Sequence, residues 1–381
     1  MKYDVIVIGG GILGCFHAYH SLKKGKSVLL IERNSKSMEA SVRNFGHAVA
    51  SGLSLNEWHR YGVRSQEIFA EIAQKAALPI RNEGSTYVAN TPGEFAVLEE
   101  MMSKFSELNY PSQLLDKSEV LKKIPVLKSE YAIGALFFPK ELTVESNFLI
   151  DTIREFMVEQ MGLQQTMNTL VLDVEESNDG IHVVTHRKER FKAEKVIVCS
   201  GREFQILFPE VFSKSDLETC RLQMMSIKNP GVQLPGNILT GLTIRRYESF
   251  KAATALKTID AHGVSSELDQ NGIHILFKQR PDGSIIIGDS HEYRDAADAH
   301  NMDYHQNTHL DNLMLSEARR IMNFEKWDVE YTWSGYYSQC KNGDVFEQTP
   351  ISNVHIVTGI GGKGMTSSAG YAEANIEKWF A

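Results

Sequence analysis

The chain has 381 residues, of which 42% are hydrophobic and 23% charged, with 28 glycines. That composition suits a folded protein of two domains and gives no support to disorder, collagen or a repeat array. A net charge of −8 argues against a sequence-independent nucleic-acid binder, which would concentrate Lys and Arg.

The cysteines Cys15, Cys199, Cys220 and Cys340 are scattered without CxxC spacing, so neither a zinc site nor a disulfide framework is expected. A reducing, cytoplasmic setting fits. No stretch approaches the ~20 apolar residues of a membrane span. The first apolar run, Val5 to Ile8, follows Asp4 and enters a glycine turn, unlike a signal peptide.

Taken in chain order, Tyr3 to Ile8 predicts a buried strand ending at Gly9-Gly10-Gly11. Ile12 to Lys24 has helical spacing and stops at Gly25, and Ser27 to Ile31 predicts the next strand. These pieces make a right-handed βαβ unit. Residues 56–77 and 93–106 predict helices, and 132–138 a strand. Ser146 to Met161, polar at its start and apolar on one face, predicts a second crossover helix. From Thr169 to Ser200 a period of two, with a turn at Asn178-Asp179-Gly180, predicts a β-meander that returns to a buried strand. Pro281-Asp282-Gly283 joins the strands of a hairpin, and 303–324 reads as one long amphipathic helix. Val354 to Thr358 predicts a last strand, broken by Gly359 to Gly364 before a final helix from Met365 to Phe380. The middle, 81–139 and 206–334, has the composition of an inserted mixed α+β domain.

Gly9-x-Gly11-x-x-Gly14 stands after a strand and opens a helix, the context a dinucleotide fingerprint requires. The first glycine permits the tight turn, the second lets backbone approach a pyrophosphate, and the third allows close packing of helix on strand. The N–H groups of Ile12 and Leu13 then face the anion at the positive end of the helix. Glu32 closes the second strand, about 20 residues on, where a carboxylate accepts the ribose hydroxyls. Arg33 follows it. FAD and NAD share this fingerprint. An NAD enzyme continues with further strand–helix repeats, whereas this chain gives the polar segment Ala40 to His47, suited to wrapping a longer cofactor.

The opening, the Ala40-Ser41-x-x-x-x-Gly46 segment, the meander ending in Cys199-Ser200-Gly201, and the terminal Thr358 to Thr366 together resemble the D-amino acid oxidase superfamily, with its glycine and sarcosine oxidases, over nearly the full length. The resemblance implies a Rossmann-type FAD-binding domain of residues 1–80, 140–205 and 335–381 carrying a substrate domain of 81–139 and 206–334. It places Val171 at the adenine, Ser200 and Gly201 along the cofactor, and Ser41, Arg43, Asn44 and Gly46 near pyrophosphate and flavin. Gly335, Gly361, Gly362, Lys363, Gly364, Met365 and Thr366 are placed at the ring, where helix-terminal N–H groups can stabilise charge on reduced flavin.

Val42 to Gly46, Leu242 to Tyr247 and Ile287 to Tyr293 further resemble a subfamily associated with phosphonate breakdown. Where D-amino acid oxidases carry an arginine clamp for a carboxylate, this chain has Gly335-Tyr336-Tyr337-Ser338-Gln339. The oxygen-activating lysine of sarcosine oxidase falls at Ile286. Tyr336 stands near the cysteine that attaches flavin there, so non-covalent FAD is expected.

Arg245 and Arg246 are candidate phosphonate ligands, of which a strand would turn only one into the pocket. His47, His291, Tyr336 and Lys363 are the other candidate catalytic or anion-binding residues. The expected reaction is hydride transfer from the carbon beside a small neutral amine, with oxygen or a carrier as final acceptor. The alternatives are an FAD-dependent hydroxy-acid or alcohol dehydrogenase with His47 or His291 as base, and a flavin-binding regulator.

Overall fold

The computed structural model describes residues 2–259, 266–302 and 304–381. Strand β1 (Lys2–Ile8), helix α1 (Ile12–Lys23) and strand β2 (Val28–Ile31) form the opening βαβ unit. The strands are parallel, with Val5 opposite Val28 and Ile8 opposite Ile31. Arg190–Val198 pairs parallel on the far side of β1, bringing Val198 opposite Ile8. Val354–Thr358 pairs with the end of that strand, Val196 to Val198. Val5, Ile6 and Val7 have no exposed surface, the burial that a strand covered on both faces requires.

Among the described residues the first sheet has eight strands, and the meander Val171–Ser177, Gly180–Thr185, Arg190–Val198 forms one side of it. Ser146–Met161 is the expected crossover helix, since it leads into Gln164–Thr166, which lies parallel to β2. Helix α1 is buried almost all round, packed on that helix and on the last one, Gly364–Trp379.

A second sheet of nine strands carries most of the middle of the chain. Its long strand Leu217–Ile227 pairs with Val329–Cys340 on one side and with Ile285–Gly288 and Glu292–Asp295 on the other. The hairpin around Pro281-Asp282-Gly283 is present, with Lys278 directly opposite Ile286. A small sheet, in which His47–Ala48 and Ile80–Arg81 both pair with Leu142–Val144, carries the segment that joins the two layers.

Two expectations are corrected. Arg245 and Arg246 do not stand on a strand: Gly241–Arg246 is a short helix, opened by the Thr240 carbonyl, which accepts from Thr243 and Ile244 N–H. Leu242 and Ile244, two residues apart, show the strand period, and so short a run holds too little of the helical one to override it. The helix expected over 303–324 spans Thr308–Ile321, because Asn307 caps it by accepting from His309 N–H and Met322 is already extended. Asp303 lies outside the described residues.

Glu141 is fully buried, its Oε1 accepting from Ser51 N–H at 2.8 Å and from the Tyr110 hydroxyl at 3.3 Å. Burial pushes its carboxyl up to about 7 from 4.5. The fold therefore favours the protonated form, and this contribution to stability, complete below pH 4.5, is lost as pH rises through 7. Over that range the loss is about 3 kcal/mol. Glu141→Gln, which cannot ionise, should gain stability relative to the native chain between pH 5 and 8. Chemical denaturation at several pH values checks this, and parallel curves would contradict it.

Candidate active site

A cavity of about 580 Å³ runs between the two large sheets. One end is built at the carboxyl ends of the parallel strands. Gly9, at φ +103°, lies so close to Cys199 that an added Cβ would stand 2.3 Å from the Cys199 carbonyl oxygen. A Cβ on Gly14 would meet the Gly9 carbonyl at 1.9 Å. Gly11 faces only Ser41 Oγ, at 3.1 Å from such a Cβ, and Ser41 Oγ accepts from Ile12 N–H at 2.9 Å. The middle glycine is thus the one turned to open space, as backbone approach to a phosphate requires.

Gly11, Ile12, Leu13, Gly14, Arg33, Ser41, Asn44, Gly46, Ser200 and Gly201 line this end, and Gly361 to Thr366 line the wall beyond it. Gly9, Glu32, Arg43, Val171 and Gly335 are not lining residues. Glu32 Oε2 accepts from Gly10 N–H at 2.7 Å, and its Oε1 accepts from Asn34 N–H at 2.9 Å, so the carboxylate braces the glycine turn. Arg43 donates to the Met38 carbonyl at 2.6 Å, and Gly335 packs on the Arg43 backbone. Val171 is buried at the start of its strand.

The expected substrate residues separate. Arg245 turns away to Glu94, at 2.8 Å, whereas Arg246 lines the cavity and donates to the Tyr293 hydroxyl at 2.5 Å. On a helix, neighbours stand about 100° apart, so a single arginine faces inward here too. Lys363 lines the wall but is paired with Asp344 at 3.1 Å. Tyr336 lies under the Arg202 guanidinium, 4.7 Å from its ring centre. His47 is buried on the wall with no partner at either ring nitrogen, and burial, then Lys278, hold it well below the usual histidine range. Lys278 itself, cross-strand from Ile286, is buried behind Gly46, bonded to the Val144 carbonyl and 3.3 Å from Glu145. Burial lowers its ammonium to about 8.

Several lining residues were not among the candidates: Tyr247, Asp289, Tyr293 and Tyr337 lie in the segments that carry the resemblance or depart from it but were given no role there, and Arg202 and His274 lie outside them. His274 and Asp289 meet His291 in one buried group, with ligand atoms all within 4.8 Å of one another. A polar residue inside the apolar run Gly272 to Phe277 was the available hint for His274.

Residues 4–377 match the family described as FAD dependent oxidoreductase. The chain belongs to it. The glycine cradle and the orphaned His47 nitrogens fit a bound flavin dinucleotide, so FAD is the cofactor. The chain is similar to monomeric sarcosine oxidase of Bacillus sp. (strain B-0618), 28% identical over 204 residues that cover 52% of this chain and 51% of that protein. It is also similar to N-methyl-L-tryptophan oxidase of Citrobacter koseri (strain ATCC BAA-895 / CDC 4225-83 / SGSC4696), 25% identical over 217 residues, 55% of this chain and 56% of that protein. The chain spans about half the length of these relatives. Among solved structures, glycine oxidase from Geobacillus kaustophilus superposes with a TM-score of 0.78 at 18% identity, over 99% of this chain and 95% of that one. L-alpha-glycerophosphate oxidase from Mycoplasma pneumoniae with FAD bound gives 0.77 at 18% identity, over 100% and 95%. These likenesses carry the fold. No helix among the described residues is long and apolar enough to cross a membrane.

The glycine geometry separates three variants of the FAD-dependent oxidoreductase. Gly11→Ala should fold yet retain far less FAD, since its methyl group displaces cofactor and not protein. Gly14→Ala should lose stability outright against the Gly9 carbonyl, and Cys15→Ala should keep native occupancy. FAD absorbance per chain together with thermal melting measures all three, and equal occupancy in the Gly11 and Cys15 variants would sink the assignment.

Proposed function

We propose that this flavoenzyme oxidises the C–N bond of a small amine with an anionic tail, an aminophosphonate or close relative, and that Arg246 holds the tail. One observation carries the reading. Every other lining cation has a carboxylate within ion-pair distance: Arg33 with Glu39 and Glu203, Arg202 with Glu39, Lys251 with Glu248, and Lys363 with Asp344. Among the described residues, Arg246 has none. A guanidinium in a partly buried cleft calls for an anion, and a phosphonate answers with two charge-assisted bonds. That the relatives are a monomeric sarcosine oxidase and an N-methyl-L-tryptophan oxidase supports an amino compound as the reacting end.

Bound flavin supplies the two-electron acceptor. The protein's part is to fix the anion at Arg246, present the amine carbon to the flavin, and exclude water between the two large sheets. Thr366 accepts from Val49 N–H at 3.2 Å and so ties the start of the last helix to the His47 segment, where the N–H groups of that helix would stabilise charge on a bound, reduced flavin. Because Tyr336 cannot form a thioether, FAD is held non-covalently.

Acid precipitation of the yellow protein should leave a colourless pellet and FAD in the supernatant. Anaerobic flavin reduction tests the substrate: 2-aminoethylphosphonate and its N-methyl relative should reduce the flavin faster than glycine, sarcosine or D-alanine. Arg246→Ala should lower kcat/KM for the phosphonate by about tenfold to a hundredfold, the cost of one or more charge-assisted bonds. Arg245→Ala should instead cost stability, by leaving buried Glu94 unpaired. Faster reduction by any of the three amino acids removes the phosphonate reading.

A further inference from the structure

An amine that binds neutral gives up its hydride without needing a proton acceptor, yet the cavity contains one. His291 Nδ1 stands 3.0 Å from the Gly272 carbonyl oxygen. A carbonyl only accepts, so Nδ1 carries the hydrogen and Nε2 of the neutral ring carries the lone pair. Nothing among the described residues hydrogen-bonds Nε2, and the residue lines the cavity. Burial pushes the imidazole well below its ordinary range, which keeps the resting ring neutral.

The ring is fixed on both faces, stacked with His274 at 5.3 Å and 25° and with Tyr293 at 6.1 Å and 22°. Asp289 Oδ1 lies 3.8 Å from His291 Nδ1 and 2.9 Å from His274 Nε2. That oxygen is buried without an aligned hydrogen bond, so it acts on both rings chiefly as a charge. Burial alone would raise its carboxyl; the N–H groups of His291 and His274 and the Arg246 guanidinium hold it below the usual carboxylate range. A carboxylate on the Nδ1 side stabilises the imidazolium formed by protonation at Nε2. The same cluster could ligate a divalent cation, but the Arg246 guanidinium packs against Gly272 beside His291, which disfavours more positive charge there.

We propose that this site also oxidises the hydroxy counterpart of its amine substrate, with His291 Nε2 taking the hydroxyl proton. The C–H and O–H bonds break and a C=O bond forms. The hydride, with both electrons, passes to the oxidised flavin; the proton goes to His291 and from there to solvent. The carbonyl product is the one that hydrolysis of the imine would give, so the anionic end binds unchanged at Arg246. His291 is catalytic in this step, and Asp289 is a positioning residue acting through it. The inference rests on the cavity being the substrate site with Arg246 as anion ligand, but does not require that an amine react there.

The test is anaerobic flavin reduction of the holoenzyme by hydroxymethyl- and 2-hydroxyethylphosphonate beside 2-aminoethylphosphonate, with ethylphosphonate as an unreactive ligand whose Kd is read from the flavin spectrum. At least one hydroxy compound should reduce the native enzyme with a solvent deuterium isotope effect. His291→Gln should lower the ratio of hydroxy to amine oxidation by about a hundredfold or more. Asp289→Asn should shift the pH profile of hydroxy oxidation, and Arg246→Ala should weaken the binding of ethylphosphonate. Failure of every hydroxy compound to reduce the native flavin, absence of the isotope effect, or equal slowing of both reactions in His291→Gln would overturn the inference. If that variant loses FAD, the isotope effect on the native enzyme decides alone. Reduction by hydroxy compounds and not by the amine would overturn the amine reading and leave this one standing.

Discussion

The contact on which the rest depends is that of Gly9 with Gly14 and Cys199. No side chain fits at either glycine, because the Gly9 carbonyl occupies the place of a Gly14 Cβ and the Cys199 carbonyl that of a Gly9 Cβ. This close approach seats helix α1 on β1 and locks the end of Arg190–Val198 beside them. The N-terminus of α1, Ser200 and Gly201, and the last glycine turn then open onto one cavity. Glu32 stabilises the turn from below by accepting from Gly10 N–H. The dinucleotide end is therefore a backbone structure, and side chains enter only at its rim.

The other end of the cavity is governed by charge pairing. Arg245 and Lys363 each have a carboxylate partner, so two cations that the bare sequence offers for an anionic substrate are spoken for within the protein, and buried Lys278 is paired as well. Arg246 is left, turned inward beside the His274, Asp289 and His291 group. His47 and His291 are kept neutral by burial. The reacting end thus combines one available cation, one ionised carboxylate and neutral imidazoles, a set suited to an anionic substrate that must lose hydrogen as hydride and proton.

Periodicity and glycine placement made the first sheet legible: β1, α1, β2 and the last strand are runs of continuous burial, and the meander and the crossover helix carry alternating or one-sided burial that is equally local. The helix at 241–246 was not legible, because six residues hold too little periodicity and the Thr240 carbonyl that opens it has no signature. His274 and Asp289 were hidden for a different reason. Their meaning comes from a hairpin that sets residues 274 and 289 side by side, through mutual backbone hydrogen bonds, and from a ring stack with His291.

By itself the sequence determined the chemistry of the backbone: buried strands that end in glycines and feed helices, which admit a dinucleotide, and a chain-long pattern pointing to FAD. Those features depend on neighbours a few residues away. Only the tertiary structure decided which arginine meets the substrate and which histidine nitrogen is free. The first follows from the Glu94–Arg245 pair, 151 residues apart, and the second from the Gly272 carbonyl facing His291 across the turn of the chain. Charge and tautomer are set by the partners that folding supplies, and the linear sequence does not contain those distances.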